Sequence, residues 1–147
     1  MLSSEQVLRV VVDTNVLTGA MLSAGGANRR VLRACLERRL QPVVGQALLN
    51  EYEDVLARRE LFHSCALSLG EREDLLNALL SVSDWVKIYF SWRPNLPDEG
   101  DNHLIELAVA GAADRIATHN FRHLSKSELR FPGIRVVSPA ALLKELR

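Results

Sequence analysis

Short β-branched runs alternate with amphipathic stretches along almost the whole chain, and that order leaves few folds open. Val7 to Val12 leads straight into Asp13 and reads as a buried strand with a polar residue at its C-terminal end. Pro42 to Val44, Trp85 to Tyr89, Arg115 to Thr118 and Ile134 to Val137 also have strand composition. Between them the spacing predicts helices. After the break at Gly25-Gly26, Asn28 is placed to cap one that runs to about Arg38. Gln46 to Arg58 carries Leu48, Leu49, Tyr52, Val55 and Leu56 on one face. Glu71 to about Leu80 forms another helix, Asp101 begins one that stops at Gly111, and Pro139 opens a last one, Ala140 to Leu146. Arg93 to Gly100, with two prolines and a glycine, reads as a loop. The alternation implies an α/β fold around a mainly parallel sheet of about five strands. In such sheets ligands sit beyond the carboxyl ends of the strands, which is where Asp13 falls.

The chain's 147 residues, 48% hydrophobic and 24% charged, suit one domain spanning residues 1–147 with its own core. No apolar run approaches the roughly 18 residues that would cross a membrane. Glu5 and Arg9 interrupt any leader-like apolar centre, so a cytoplasmic protein is expected. Cys35 and Cys65 are well separated and form no Cys-x-x-Cys pair, so they read as small apolar residues rather than parts of a zinc site. Net charge is zero, without the basic excess of a tight nonspecific nucleic-acid binder. Fifteen of the eighteen basic residues are nonetheless arginine, and Arg29, Arg30, Arg33, Arg38 and Arg39 crowd one stretch. It reads either as a solvated helix face or as a grip for phosphates.

Three places could carry chemistry. Asp13, with Thr14 and Asn15 beside it, sits at a strand mouth, although an acid there also serves to cap the next helix. The spacing excludes a phosphatase of the haloacid-dehalogenase type, which wants a second aspartate where Asn15 stands, and no phosphate-binding Gly-x-x-x-x-Gly-Lys run occurs. Glu51 and Glu53 lie about 100° to either side of the apolar stripe of their helix, so periodicity alone does not choose between them. Asp98, Glu99 and Asp101 gather before a helix start, more acid than one cap requires, and clustered oxygen ligands suit a hard cation such as Mg²⁺ or Mn²⁺. His103 is expected to face solvent, and His119 and His123 read as surface residues. Tyr52, Phe90 and Phe121 read as core, so no base-stacking platform is assigned.

Taken in order, VVVDTNVLTGAM, the Glu51 of QALLNEYEDVL, and DEGDNHLIELAVAGAADRIATHNFRHL resemble the PIN domain, a metal-dependent ribonuclease fold. The resemblance covers about Val7 to Ala141 and is nearest to the variant described as the toxin component of bacterial and archaeal toxin-antitoxin systems. It implies a three-layer α/β/α domain whose acids hold one or two Mg²⁺ or Mn²⁺ ions for hydrolysis of RNA phosphodiesters. By position, Asp13, Glu51 and Asp101 match the first three acids, and Asp98 falls where an additional one is often seen. The fourth acid normally follows a strand in a Thr-Gly-Asp type turn, which here reads Thr118-His119-Asn120. Asn120 is a neutral and weaker ligand, so a second metal is in question and a weakened domain that only binds RNA or protein is the competing expectation. Thr14, Asn15, Arg29, Arg30, Arg33 and His119 are the candidate substrate contacts, with His119 also able to transfer a proton. The resemblance further implies single-stranded or structured RNA as substrate, an antitoxin protein as partner, and a homodimer. RNA and DNA are not distinguished by the sequence.

Overall fold

A computed structural model describes residues 7–88, 102–120 and 131–146. Its elements run β1 (Leu8–Val12), α1 (Thr14–Leu22), α2 (Ala27–Leu36), β2 (Leu40–Val44), α3 (Gln46–Leu56), α4 (Leu69–Ser81), β3 (Asp84–Trp85), α5 (Asn102–Ala110), β4 (Arg115–Ala117), β5 (Arg135–Val137) and α6 (Pro139–Lys144). The five strands form one parallel sheet in the order β3-β2-β1-β4-β5. Helices flank it in three α/β/α layers: a parallel step needs a crossover, and among the described residues α1 and α2 lie between β1 and β2, α3 and α4 between β2 and β3, and α5 between β3 and β4.

The sheet is buried on both faces around its centre. Val10, Val11, Val12, Val43, Val44, Ile116 and Ala117 are all at most 2% exposed, which accounts for runs of β-branched residues without polar alternation. β1 lies in the middle, with β2 on one side and β4 on the other, in register Val10↔Pro42 and Val12↔Ala117. The chain first builds outward to β3 and then returns to build the other half. The reversal of strand order lies between β1 and β4, where parallel sheets open a crevice at the carboxyl ends of the strands. Asp13 follows β1 and Thr118 follows β4, so both stand at that crevice.

Element ends differ from the sequence expectation where capping decides them. α4 starts two residues early, at Leu69, because Ser68 Oγ accepts from the Glu71 amide at 3.1 Å while Glu71 Oε1 accepts from the Ser68 amide at 2.9 Å. α2 starts at Ala27 with Gly26 before it and no side-chain cap, so Asn28 is not the expected cap. Its Oδ1 instead lies 2.7 Å from His119 Nε2. β3 is shorter than its sequence run, Asp84–Trp85, with Tyr89 outside the described residues.

Gly111 follows α5 as expected, but the left-handed residue there is Ala112, with φ 54°. The glycine is needed for space. A Cβ at Gly111 would stand 2.6 Å from Val43 Cγ1 and 3.0 Å from Val86 Cγ2, so the chain must approach β2 and the segment after β3 without a side chain. Cys35 is buried, and burial pushes its thiol up to about 12; Cys65 is partly buried, and both are free thiols. No helix among the described residues is long and apolar enough to cross a membrane.

Candidate active site

Asp13 is both a cap and a buried carboxylate. Its backbone precedes α1, its amide donates to the Ala117 carbonyl at 2.9 Å, and its Oδ1 accepts from the Thr14 amide at 2.7 Å. Oδ2 accepts from the Thr118 hydroxyl at 2.6 Å and from Asn15 Nδ2 at 3.3 Å. The side chain is nearly enclosed, with the residue 5% exposed, and burial raises its pKa above the ordinary aspartate value. The bonds from Thr118 and Thr14 oppose that rise, while the nearby Glu51 carboxylate adds to it.

α3 delivers Glu51. Tyr52, fully buried, donates its hydroxyl to the Val12 carbonyl at 2.6 Å, which pins α3 against the last residue of β1. Leu48 and Leu56 bury the same face, and Glu51, one position before Tyr52, projects from its edge. There Oε1 accepts from the Thr14 hydroxyl at 2.6 Å and Oε2 lies 3.0 Å from His103 Nε2. The His103 contact, aided by the Thr14 bond, holds Glu51 below the ordinary glutamate range against the opposing effect of burial. Glu53, on the other side of the stripe, is exposed and lines a separate cavity of about 590 Å³ with Arg59, Arg72 and Glu73. Tertiary packing thus selects Glu51 over Glu53, a choice that periodicity left open.

Thr14 joins the two carboxylates, its amide on one and its hydroxyl on the other. Among the described residues neither acid pairs with Lys or Arg. A buried carboxylate crowded by a second one, with no Lys or Arg beside it among the described residues, is electrostatically costly, and its oxygens suit a hard divalent ion. The two carboxylates therefore fit as oxygen donors to a divalent ion. Asp98 and Asp101 lie outside the described residues, and among the described residues no group of three or more potential ligands comes together.

Thr118-His119-Asn120 closes the site from the β4 side. The Thr118 hydroxyl, wholly buried, also accepts from the Asn120 amide at 2.9 Å, and the His119 amide donates to Asn15 Oδ1 at 3.3 Å. Asn120 is thereby held by its backbone beside the residue that bonds Asp13, with its own residue exposed. Of the arginines, Arg29 donates through Nε to the Ala20 carbonyl and ties α2 to α1, whereas Arg30 and Arg33 are exposed.

Residues 9–122 match the family model described as the PIN domain. The chain belongs to the PIN-domain family. The match runs from β1 past the Asn120 turn and so spans Asp13, Glu51, Asp98, Asp101 and Asn120. PIN domains are generally nucleases that use divalent metals. A search of curated proteins gave no match to the chain.

Two residues of this PIN domain escaped the sequence reading. His103 is not a solvent-facing residue: its side chain is 19% exposed and its ring meets Glu51. Its position three residues into the run DNHLIEL offered a signal only if α5 were already known to lie beside α3. Thr118, which the sequence places at a strand end and at the start of the Asn120 turn, is through its hydroxyl a direct partner of Asp13.

Proposed function

We propose that this PIN domain is a Mg²⁺- or Mn²⁺-dependent endoribonuclease, the toxin of a toxin-antitoxin pair, acting in the cytoplasm as a homodimer. The observation that carries the reading is the Asp13-Thr14-Glu51 arrangement at the crevice between β1 and β4, in a chain of this family. Asp13, Glu51 and Asp101 are assigned as the residues holding the ion, with Asp98 and Asn120 completing its surroundings. A divalent cation bound there supplies charge neutralisation at the phosphate and lowers the pKa of water.

The protein's own groups prepare that chemistry. Thr14 and Thr118 fix the orientation of Asp13, and Thr14 and His103 fix Glu51, so the oxygens need not reorganise when substrate arrives. His119, exposed beside Asn15 and Asn28, would contact a phosphate or exchange a proton with the leaving group. Arg30 and Arg33, exposed on α2, would track the phosphate backbone; Arg29 would support them by holding α2 to α1. Thr14 and Asn15 border the same cleft.

The test is cleavage of a mixed-sequence single-stranded RNA, and of its DNA counterpart, with Mn²⁺ or Mg²⁺. Expected is RNA cleavage by the wild type that is abolished by EDTA and by Asp13→Asn. Cleavage that survives Asp13→Asn would overturn the site assignment, and preference for DNA would overturn the substrate. Growth arrest on expression, relieved by the product of an adjacent short reading frame, tests the toxin role.

Asn120 favours a second reading, a weakened domain that binds RNA or protein without turnover. Under that reading the wild type cleaves nothing, and Asn120→Asp restores a carboxylate and produces activity. Cleavage by the wild type with tight Mn²⁺ binding would reject it.

A further inference from the structure

A cavity of about 450 Å³ opens beside Glu51, on the side of α3 that faces β3 and α5. Its lining includes Gln46, Asn50, Trp85, Lys87, Ile88 and His103. The volume lies in the range of small-ligand pockets. His103 ties it to the candidate active site, because the same side chain lines the cavity and places Nε2 3.0 Å from Glu51 Oε2. Asn50 is Glu51's immediate neighbour on α3.

The lining combines three chemistries. Trp85, on the edge strand β3, is 51% exposed, and Ile88 beside it is 38% exposed, so an indole and an aliphatic group face the opening instead of the core. Gln46 Nε2 donates to Asn50 Oδ1 at 2.8 Å. Among the described residues the other amide atoms of the pair, Gln46 Oε1 and Asn50 Nδ2, have no protein partner, leaving one acceptor and one donor in adjacent positions. Lys87 adds an exposed cation at the rim, opposite in charge to the partly buried Glu106 that also lines the cavity. A flat ring to stack on, a donor and acceptor pair, and a nearby positive charge are the parts of a site for one unstacked nucleobase and its phosphate.

We propose that this cavity is a nucleobase subsite: one base of a single-stranded nucleic acid stacks on Trp85 and is read by Gln46 and Asn50, which sets the strand relative to Glu51. The inference deepens the nuclease reading and rests on it for the identity of the polymer.

Binding is tested apart from cleavage. In a Trp92→Phe background Trp85 is the remaining tryptophan, and its fluorescence is followed in EDTA as uridine and adenosine oligonucleotides are added, with deoxy counterparts as a second arm. Expected are saturable quenching, cross-linking of a 5-iodouridine oligonucleotide at Trp85, and a labelled oligonucleotide that binds Trp85→Ala about tenfold more weakly. Trp85→Phe keeps a ring and should stay near wild type, and Asn50→Ala should change the preference between uridine and adenosine. In cleavage assays Trp85→Ala raises KM and leaves kcat nearly unchanged. Metal-dependent cleavage without quenching, and with an unaltered KM for Trp85→Ala, overturns the subsite while the nuclease stands. Quenching and cross-linking without cleavage support the subsite while the hydrolytic reading falls. Absence of any oligonucleotide binding by the folded wild type overturns the subsite as well.

Discussion

The Thr118 hydroxyl donates to Oδ2 of Asp13 at 2.6 Å, joining residues 105 positions apart at the ends of two adjacent strands. Both residues are buried, and the same hydroxyl accepts from the Asn120 amide. Thr118→Val keeps the shape and removes both bonds, leaving a buried carboxylate short of a donor. The expected cost is about 1–3 kcal/mol of unfolding free energy in urea, with Thr118→Ser losing much less. Equal midpoints for the valine variant and wild type would show that the bond contributes nothing to the fold.

His103 orients Glu51 from α5, so His103→Ala should weaken Mn²⁺ binding or cleavage by about 10–100-fold, the effect usual for groups that position a ligand. Calorimetric titration with Mn²⁺ and far-UV circular dichroism on the same sample separate this from unfolding. Unchanged Mn²⁺ affinity in the folded variant would remove His103 from the account.

Gly111→Ala tests the close approach after α5. Its Cβ would meet Val43 Cγ1 at 2.6 Å, and the Leu107 carbonyl at 3.1 Å leaves little room to move away. Overpacking of this kind costs about 1–3 kcal/mol. Denaturant unfolding should show the loss, and the Ala112→Gly control, which relieves a left-handed residue, should be neutral or stabilising.

Arg115 grips Glu145 through Nη2 to Oε1 at 2.6 Å and Nε to Oε2 at 3.0 Å. This pairing holds Glu145 below its ordinary value of 4.5. A carboxyl with a lowered folded pKa binds fewer protons folded than unfolded at mildly acidic pH. Its stabilisation is complete above the unfolded value and disappears as pH falls through the folded one. Glu145→Gln should therefore flatten the acid limb of the stability curve below about pH 4.5 while costing under about 1 kcal/mol at neutral pH, since the pair is partly exposed. Urea unfolding at stepped pH reads both quantities, and an unaltered acid limb contradicts the assignment.

The parallel sheet, the amphipathic stripe of α3 and the strand-end position of Asp13 were legible because each depends on local order. β-branched runs bury on both faces, and the period of Leu48, Tyr52 and Leu56 fixes the inward side of α3. The ordered blocks around Asp13, Glu51 and the Asn120 turn carried the family as well, which the match over residues 9–122 bears out. Periodicity gives an angle about one helix axis and nothing about its neighbour. It therefore left Glu51 and Glu53 equivalent until Tyr52 bonded to Val12 and turned Glu51 towards Thr14. The same limit hid the partners of His103 and Thr118 and the exposure of Trp85. Their surroundings are set by which strands and helices lie side by side: α5 against α3, β4 beside β1, and β3 at the sheet edge. Gly111 was legible as a helix end and not as a point of contact with Val43, because a missing side chain has meaning only once a second segment occupies the space. Local sequence determined the elements and the first carboxylate. Only the packing of elements distant in the chain decided which residues surround it, because those contacts arise from strand order and not from spacing.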